Sequence, residues 1–210
     1  SGFQLNNNYG KHILPNVKKL PQHYNYNELY DDAMNEAARD TNNNRFGIKN
    51  SFYTQRVKKN LAKTKGSQRN FNYTKSPEYG DLEVVLNQFK NTNSNVLFII
   101  PPVNSKWEKY TGMDMNMYYQ SVEKIKFQLR QQGFNHILDL SHDGDKPGFM
   151  EDTIHIGWAG WVKVDKATNS FISNKQPQPH YQINSKFLSP EWTNLTPTPG
   201  NLQKFQEKLH

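Results

Sequence analysis

Apolar positions organise the middle of the chain and thin out towards both ends. Leu82, Val85, Leu86 and Phe89 fall at i, i+3, i+4 and i+7, the spacing of an amphipathic helix. Ser76-Pro77-Glu78 just before them is a helix-start signal: a capping hydroxyl, a proline at the first helical position and an acid in the first turn. Asn93 to Asn95 closes that helix. Val96-Leu97-Phe98-Ile99-Ile100 is a continuous apolar run halted by Pro101-Pro102, and reads as a central parallel strand buried on both faces. Tyr118, Val122, Ile125 and Leu129 return to helical spacing, with Gly133 where a C-cap glycine belongs. His136-Ile137-Leu138-Asp139-Leu140 is a second strand, and a further helix is expected from about Gly157 to Ala167. Upstream, Leu29, Ala33 and Ala37 predict a helix over 28–39, broken at 40–44. Arg45-Phe46-Gly47-Ile48 then reads as a turn, and 51–62 as a basic helix.

Helix–strand–helix–strand–helix with short joins is the grammar of an α/β fold: three α/β/α layers with a mostly parallel sheet. The chain divides into an irregular and helical segment over 1–75, an α/β unit over 76–175, and a Pro-rich stretch over 176–210, read as an irregular tail lying over the domain. Residues 1–27 lack periodicity and stay unassigned. In such sheets function collects in loops beyond the carboxyl ends of the strands. Two loops qualify, Pro101-Pro102-Val103-Asn104 and the turn holding Asp152-Thr153-Ile154-His155.

That second loop carries the chemistry. An acid three residues before a histidine, followed by glycine, aromatic and small residues, fits a tight turn feeding a helix. At this spacing the Asp152 carboxylate can fold back onto the His155 Nδ1–H, fix its tautomer and leave Nε2 free for a nucleophile's proton. The competing role for Asp152 is a plain cap on the next turn. His142-Asp143-Gly144-Asp145 near Asp152 and His155 has the composition of a metal cluster, but lacks a calcium-loop continuation and a His-x-x-x-His pair, so it reads as a surface loop; no metal and no cofactor are expected. Asn104 is a site-lining or a turn residue. Trp107, Tyr110, Trp158 and Trp161 form either an aromatic wall near the turn or core. His12, His23, His136, His180 and His210 have no acidic partner at useful spacing.

Composition narrows the class. The 210 residues are only 34% apolar and carry a net charge of +7, with a pI near 9.4. That balance points to a polyanionic neighbour or to a generic lysine-rich surface. The run from Lys58-Lys59 to Arg69, with Phe71 and Tyr73 beyond it, reads as a solvated linker; no nucleic-acid-binding signature accompanies it, and nucleic acid is not an expected partner. The absence of cysteine excludes disulfides and thiolate metal sites. No apolar run approaches the ~18 residues of a membrane span. Ser1-Gly2-Phe3, without Met, reads as an interior cut in a longer protein.

The order of strand, Pro-Pro loop, helix, strand ending Asp139-Leu140-Ser141, Asp152-x-x-His155 and helix resembles the carboxyl half of the SGNH-hydrolase fold, a flavodoxin-like arrangement. More closely, Phe149 to Trp161 and Ser76-Pro77-Glu78-Tyr79-Gly80-Asp81-Leu82-Glu83 resemble the DltD family, the D-alanyl-lipoteichoic acid biosynthesis proteins of Gram-positive bacteria. Ser1-Gly2-Phe3 and Arg45-Phe46-Gly47-Ile48 match it too, so the likeness runs from the start to about residue 175. The resemblance implies a membrane-anchored protein on the extracellular face of the cell membrane, its anchor upstream and this piece soluble. It implies transfer of D-alanine esters onto the glycerol-phosphate units of lipoteichoic acid, from a D-alanyl donor or carrier and with membrane acyltransfer partners. Asp152 then matches the acid and His155 the general base of a Ser-His-Asp set, with no cofactor. The family's nucleophile turn and oxyanion loop have no counterpart here, and Gly66-Ser67 lacks a preceding strand, so these residues alone are expected to be inactive. The other function class is a non-catalytic module that binds anionic teichoic acid or a carrier protein.

Overall fold

Several helices start where a short polar side chain turns back on the backbone. The computed structural model describes residues 25–209, and Asn25 opens its first helix by accepting from the Asn27 and Glu28 N–H groups. The reading of residues 1–24, with His12, His23 and Ser1-Gly2-Phe3, and that of His210 lie outside the described residues. Helix α1 spans Tyr26–Asp40. A helical run over 50–64 follows, mixing α, π (Tyr53–Val57) and 3-10 turns. Next come α2 (Glu78–Asn91), β1 (Phe98–Ile100), α3 (Ser105–Thr111), α4 (Met115–Arg130), β2 (Ile137–Asp139) and α5 (Trp158–Ser173). The chain ends in a 3-10 turn (Ser185–Leu188), α6 (Pro190–Thr193) and α7 (Pro199–Glu207). The fold is therefore α/β and helix-rich, around a small parallel sheet.

The strands pair in parallel, with Phe98 opposite Ile137, Ile99 opposite Leu138 and Ile100 opposite Asp139. β1 is shorter than its apolar run and is not buried on both faces. Phe98 packs edge-on against Phe89 and Phe134. Ile99, alternating to the opposite face, keeps 36% exposure, because that side of the strand borders an open hollow lined by Ile154, Ile156, Trp161 and Val164. The α2 stripe also differs from expectation. Its buried residues are Tyr79, Glu83 and Leu86, while Val85 stays 48% exposed.

The cause is the carboxyl-terminal stretch, which is not an irregular tail. Ser189 accepts from the Trp192 N–H ahead of Pro190, and Thr198 accepts from the Asn201 N–H ahead of Pro199. A proline after a capping hydroxyl starts a helix instead of breaking one. The two helices and the 3-10 turn bury Phe187, Trp192 and Phe205 against Tyr79. Polar groups bind this layer to α4. The buried Lys124 ammonium donates to the carbonyls of Thr74 (2.8 Å), Thr193 (3.2 Å) and Leu195 (3.0 Å), over the rings of Tyr79 and Trp192. Burial, with Lys75 adding a little, pulls its pKa down to about 7. Gln128 accepts from the Trp192 indole and donates to Glu83, which Gln132 also bonds.

Glu108, on α3, is buried, and its Oε1 has no partner among the described residues. Burial alone pushes its pKa up to about 7. Between the ordinary carboxylate value and that one the folded state holds a proton the unfolded chain has lost, so stability falls as pH rises through this window. Glu108→Gln, isosteric and neutral, removes that loss. In urea unfolding near pH 4 and near pH 8, the wild type is expected to lose about 3 kcal/mol more than the variant; parallel losses in the two proteins would contradict it.

Candidate active site

The turn between β2 and α5 is anchored by apolar packing at both ends. Phe149, Met150 and Ile156 join Leu140 and Val164 in one buried cluster. Met150 and Ile156 face each other in an antiparallel bridge; the Glu151 N–H donates to His155 O (3.0 Å) and the Gly157 N–H to Phe149 O (2.8 Å). Two glycines permit the closure. A Cβ on Gly157 would stand 2.7 Å from Glu151 N, and one on Gly160 would strike the Ile156 side chain and the Phe149 carbonyl.

Inside this loop Asp152 uses both carboxylate oxygens. Oδ1 accepts from the N–H groups of Ile154 and His155, each at 2.8 Å, closing an Asx-type turn. Oδ2 lies 2.7 Å from His155 Nδ1. Capping and orienting are thus carried by one side chain. The carboxylate is 11% exposed and the imidazole 70%. With Nδ1–H donating to the acid, Nε2 is the basic nitrogen on the open side. The His155 side of the turn adjoins an apolar hollow of about 270 Å³ lined also by Ile99, Pro101, Ile154, Ile156 and Trp161.

Two distant segments buttress the turn, and the sequence offers no signal for the first of them. The Lys49 N–H donates to Glu151 O (2.7 Å) and its ammonium pairs with the Glu151 carboxylate (2.8 Å). The Asn104 N–H donates to Thr153 O (3.0 Å). The Asn104 side chain caps α3 through the Trp107 N–H and donates to Phe46 O, so it is a positioning residue committed to backbone. The other candidates disperse. His142 stacks on Tyr119 at 4.2 Å, and Asp143 pairs with Lys146 and Lys163. Among the described residues no group of three acids or histidines is placed to hold a metal ion. Trp107 and Tyr110 pack on Phe46 in a core cluster, whereas Trp161 borders His155. His136 packs edge-on against Phe171, and Gly66-Ser67 follows a helical run without a strand. No helix among the described residues is long and apolar enough to cross a membrane.

Comparison with known proteins agrees with the family resemblance. The family model described as DltD protein matches residues 1–173. Protein DltD of Lacticaseibacillus rhamnosus is 48% identical over 189 residues, covering 90% of this chain and 44% of the relative. Protein DltD of Bacillus subtilis (strain 168) is 39% identical over 146 residues, 70% of this chain and 37% of the relative. Protein DltD of Staphylococcus aureus (strain NCTC 8325 / PS 47) is 25% identical over 177 residues, 84% and 43%. The chain spans less than half the length of these relatives.

The two roles of Asp152 separate by substitution. Asp152→Asn keeps an oxygen for the Ile154 and His155 N–H groups but offers the ring a donor, and is expected to move the imidazole proton to Nε2. Asp152→Ala loses both roles and should speed amide exchange at residues 154 and 155 by about tenfold. Nitrogen-15 imidazole shifts and hydrogen exchange read the two effects. An unchanged tautomer in Asp152→Asn would remove the orienting role.

Proposed function

The chain belongs to the DltD family, and from that premise we propose that it supplies the acid and the general base of a Ser-His-Asp acyl transfer that places D-alanine esters on lipoteichoic acid. The observation that supports this most is the 2.7 Å contact between Asp152 Oδ2 and His155 Nδ1, with the rest of the imidazole exposed and His155 lining an apolar hollow. His155 Nε2 takes the hydroxyl proton of a serine as its oxygen bonds the acyl carbon of an activated D-alanyl ester or thioester. The proton passes to the departing group as the old acyl bond breaks. A hydroxyl of the polymer then attacks the acyl-serine, Nε2 takes its proton, and that proton returns to the serine oxygen. Asp152 stabilises the imidazolium at each stage and stays ionised.

In this reading the serine and the oxyanion donors come from the part of the family protein this chain does not span, and the unit forms the carboxyl-terminal portion of a three-layer, SGNH-hydrolase-like fold. The protein works at the outer face of the Gram-positive membrane, held there by an anchor outside these residues. The open β1 face and the exposed Ile154 and Trp161 beside His155 are consistent with further protein covering the site. A second reading has a specific observation behind it: Asp152 Oδ1 closes the turn by itself, as a purely structural D-x-x-H would in a polymer- or carrier-binding module.

A fluorophosphonate probe read by mass spectrometry separates the two. In the longer protein one serine outside this chain is expected to label, and His155→Ala should cut both labelling and D-alanyl transfer by about a hundredfold or more. Transfer that survives His155→Ala would favour the second reading.

A further inference from the structure

The net positive charge is unevenly matched. Lys49, Lys126, Lys146, Lys163 and Lys208 each hold a carboxylate within salt-bridge distance. Arg45, Lys65, Arg69, Lys106 and Lys109 hold none among the described residues, yet they gather around one groove of about 400 Å³ with no acidic side chain in its lining. Like charges brought together without counter-charge repel, so the arrangement is more favourable with an anion present than without one.

The groove is built by contacts far apart in sequence. The Gly66 N–H donates to Tyr110 O (3.1 Å) and the Gln68 N–H to Thr111 O (3.0 Å), fastening the 65–69 segment to α3. That segment is therefore not the solvated linker its composition suggested. The Arg69 side chain lies against Gly66 and Gly112, both at positive φ; a Cβ on Gly112 would stand 2.7 Å from Arg69 Cγ. The Arg45 guanidinium rests 4.7 Å from the Tyr110 ring centre and 5.0 Å from that of Phe46. A guanidinium laid on ring faces keeps its N–H edges for a planar, bidentate grip on an oxyanion.

We propose that this groove binds the phosphodiester backbone of a linear polyol-phosphate polymer and holds it next to the Asp152/His155 turn. Five cations along one groove match a chain of repeated single negative charges better than one small anion. With Arg45 over them, the faces of Phe46 and Tyr110 are unavailable for base stacking or for acyl chains, which argues against nucleic acid and a bilayer. Shared residues and one main-chain bond connect the groove to the turn. Phe46 and Lys106 line a second cleft of about 310 Å³ with Asn104 and Met150, and the Asn104 N–H bonds Thr153 O inside the turn. The use of the polymer as acyl acceptor rests on the proposed function; the binding site does not.

Binding of short synthetic poly(glycerol phosphate) to the 210-residue chain, by calorimetry at low and physiological salt, tests this directly. Lys65→Gln/Arg69→Gln/Lys109→Gln is expected to weaken binding by about tenfold or more. Lys90→Gln/Lys175→Gln/Lys204→Gln, with the same change in charge, should alter it less than about twofold. Should the first triple variant unfold, the single variants Lys65→Gln and Lys109→Gln carry the comparison. Equal losses in groove and control variants would overturn the proposal. So would groove-dependent binding of phosphatidylglycerol vesicles without binding of the polymer, which would make the ligand a membrane surface. The readout is binding, so an inactive His155 leaves it unchanged, and a failed groove leaves His155-dependent serine labelling unchanged.

Discussion

One carboxylate couples the local fold to the site. Asp152 Oδ1 satisfies two backbone N–H groups, and that turn sets the third residue on where its ring meets Oδ2. The spacing follows from the geometry of an Asx-type turn, in which the N–H groups two and three residues on converge on the side-chain oxygen. A glutamate, one methylene longer, would carry its oxygens past those donors. A buried acid that has already given one oxygen to the backbone has little freedom to turn, so the direction of the imidazole is inherited from the fold.

The turn is in its own right a product of packing elsewhere. Phe149, Met150 and Ile156 fix its ends in the core, and Gly157 and Gly160 let the strand-like ends and the start of α5 close to contact distance. From outside, Lys49 and Asn104 hold it through main-chain donors. That explains how much was legible. The helices, the parallel strands and the D-x-x-H turn each carry a period, a cap or a spacing in the sequence. A bond from the Lys49 N–H to the Glu151 carbonyl carries none, because every residue except proline has that donor. The tail departs from its sequence pattern for a different reason: Pro190 and Pro199 signal a break or a start depending on the residue before them, and Ser189 and Thr198 make it a start. Glu83, Lys124, Gln128 and Gln132 carry no apolar signal, yet they line the buried seam under that tail. Most of their side-chain hydrogen bonds are to groups some forty-five to seventy positions away, beyond the reach of any local pattern.

Charge shows the same division. Composition alone leaves a polyanion partner and a generic lysine-rich surface equally open. Folding pairs some cations with acids and gathers five others around one groove without them, and the proposed polymer site is built on that second group. The glycines that admit Arg69 and the rings under Arg45 restrict two of these cations before any ligand arrives, which lowers the conformational entropy lost on binding.

The distribution of burial around the site has a consequence for the proposed acyl transfer. A carboxylate is costly to take out of water, and a neutral imidazole far less so. Here the carboxylate is already withdrawn, its desolvation offset by two backbone N–H groups and the ring. The imidazole stays open, rimmed by Ile99, Ile154 and Trp161. When a substrate or a further protein segment covers that apolar rim, the titratable side chain it desolvates is the imidazole and not the carboxylate. Water leaves, the effective dielectric falls, and the attraction between Asp152 and a developing imidazolium strengthens at the stage when the proton moves. An open histidine beside a buried acid is thus a site whose expensive desolvation is completed by folding and whose last increment is left to binding.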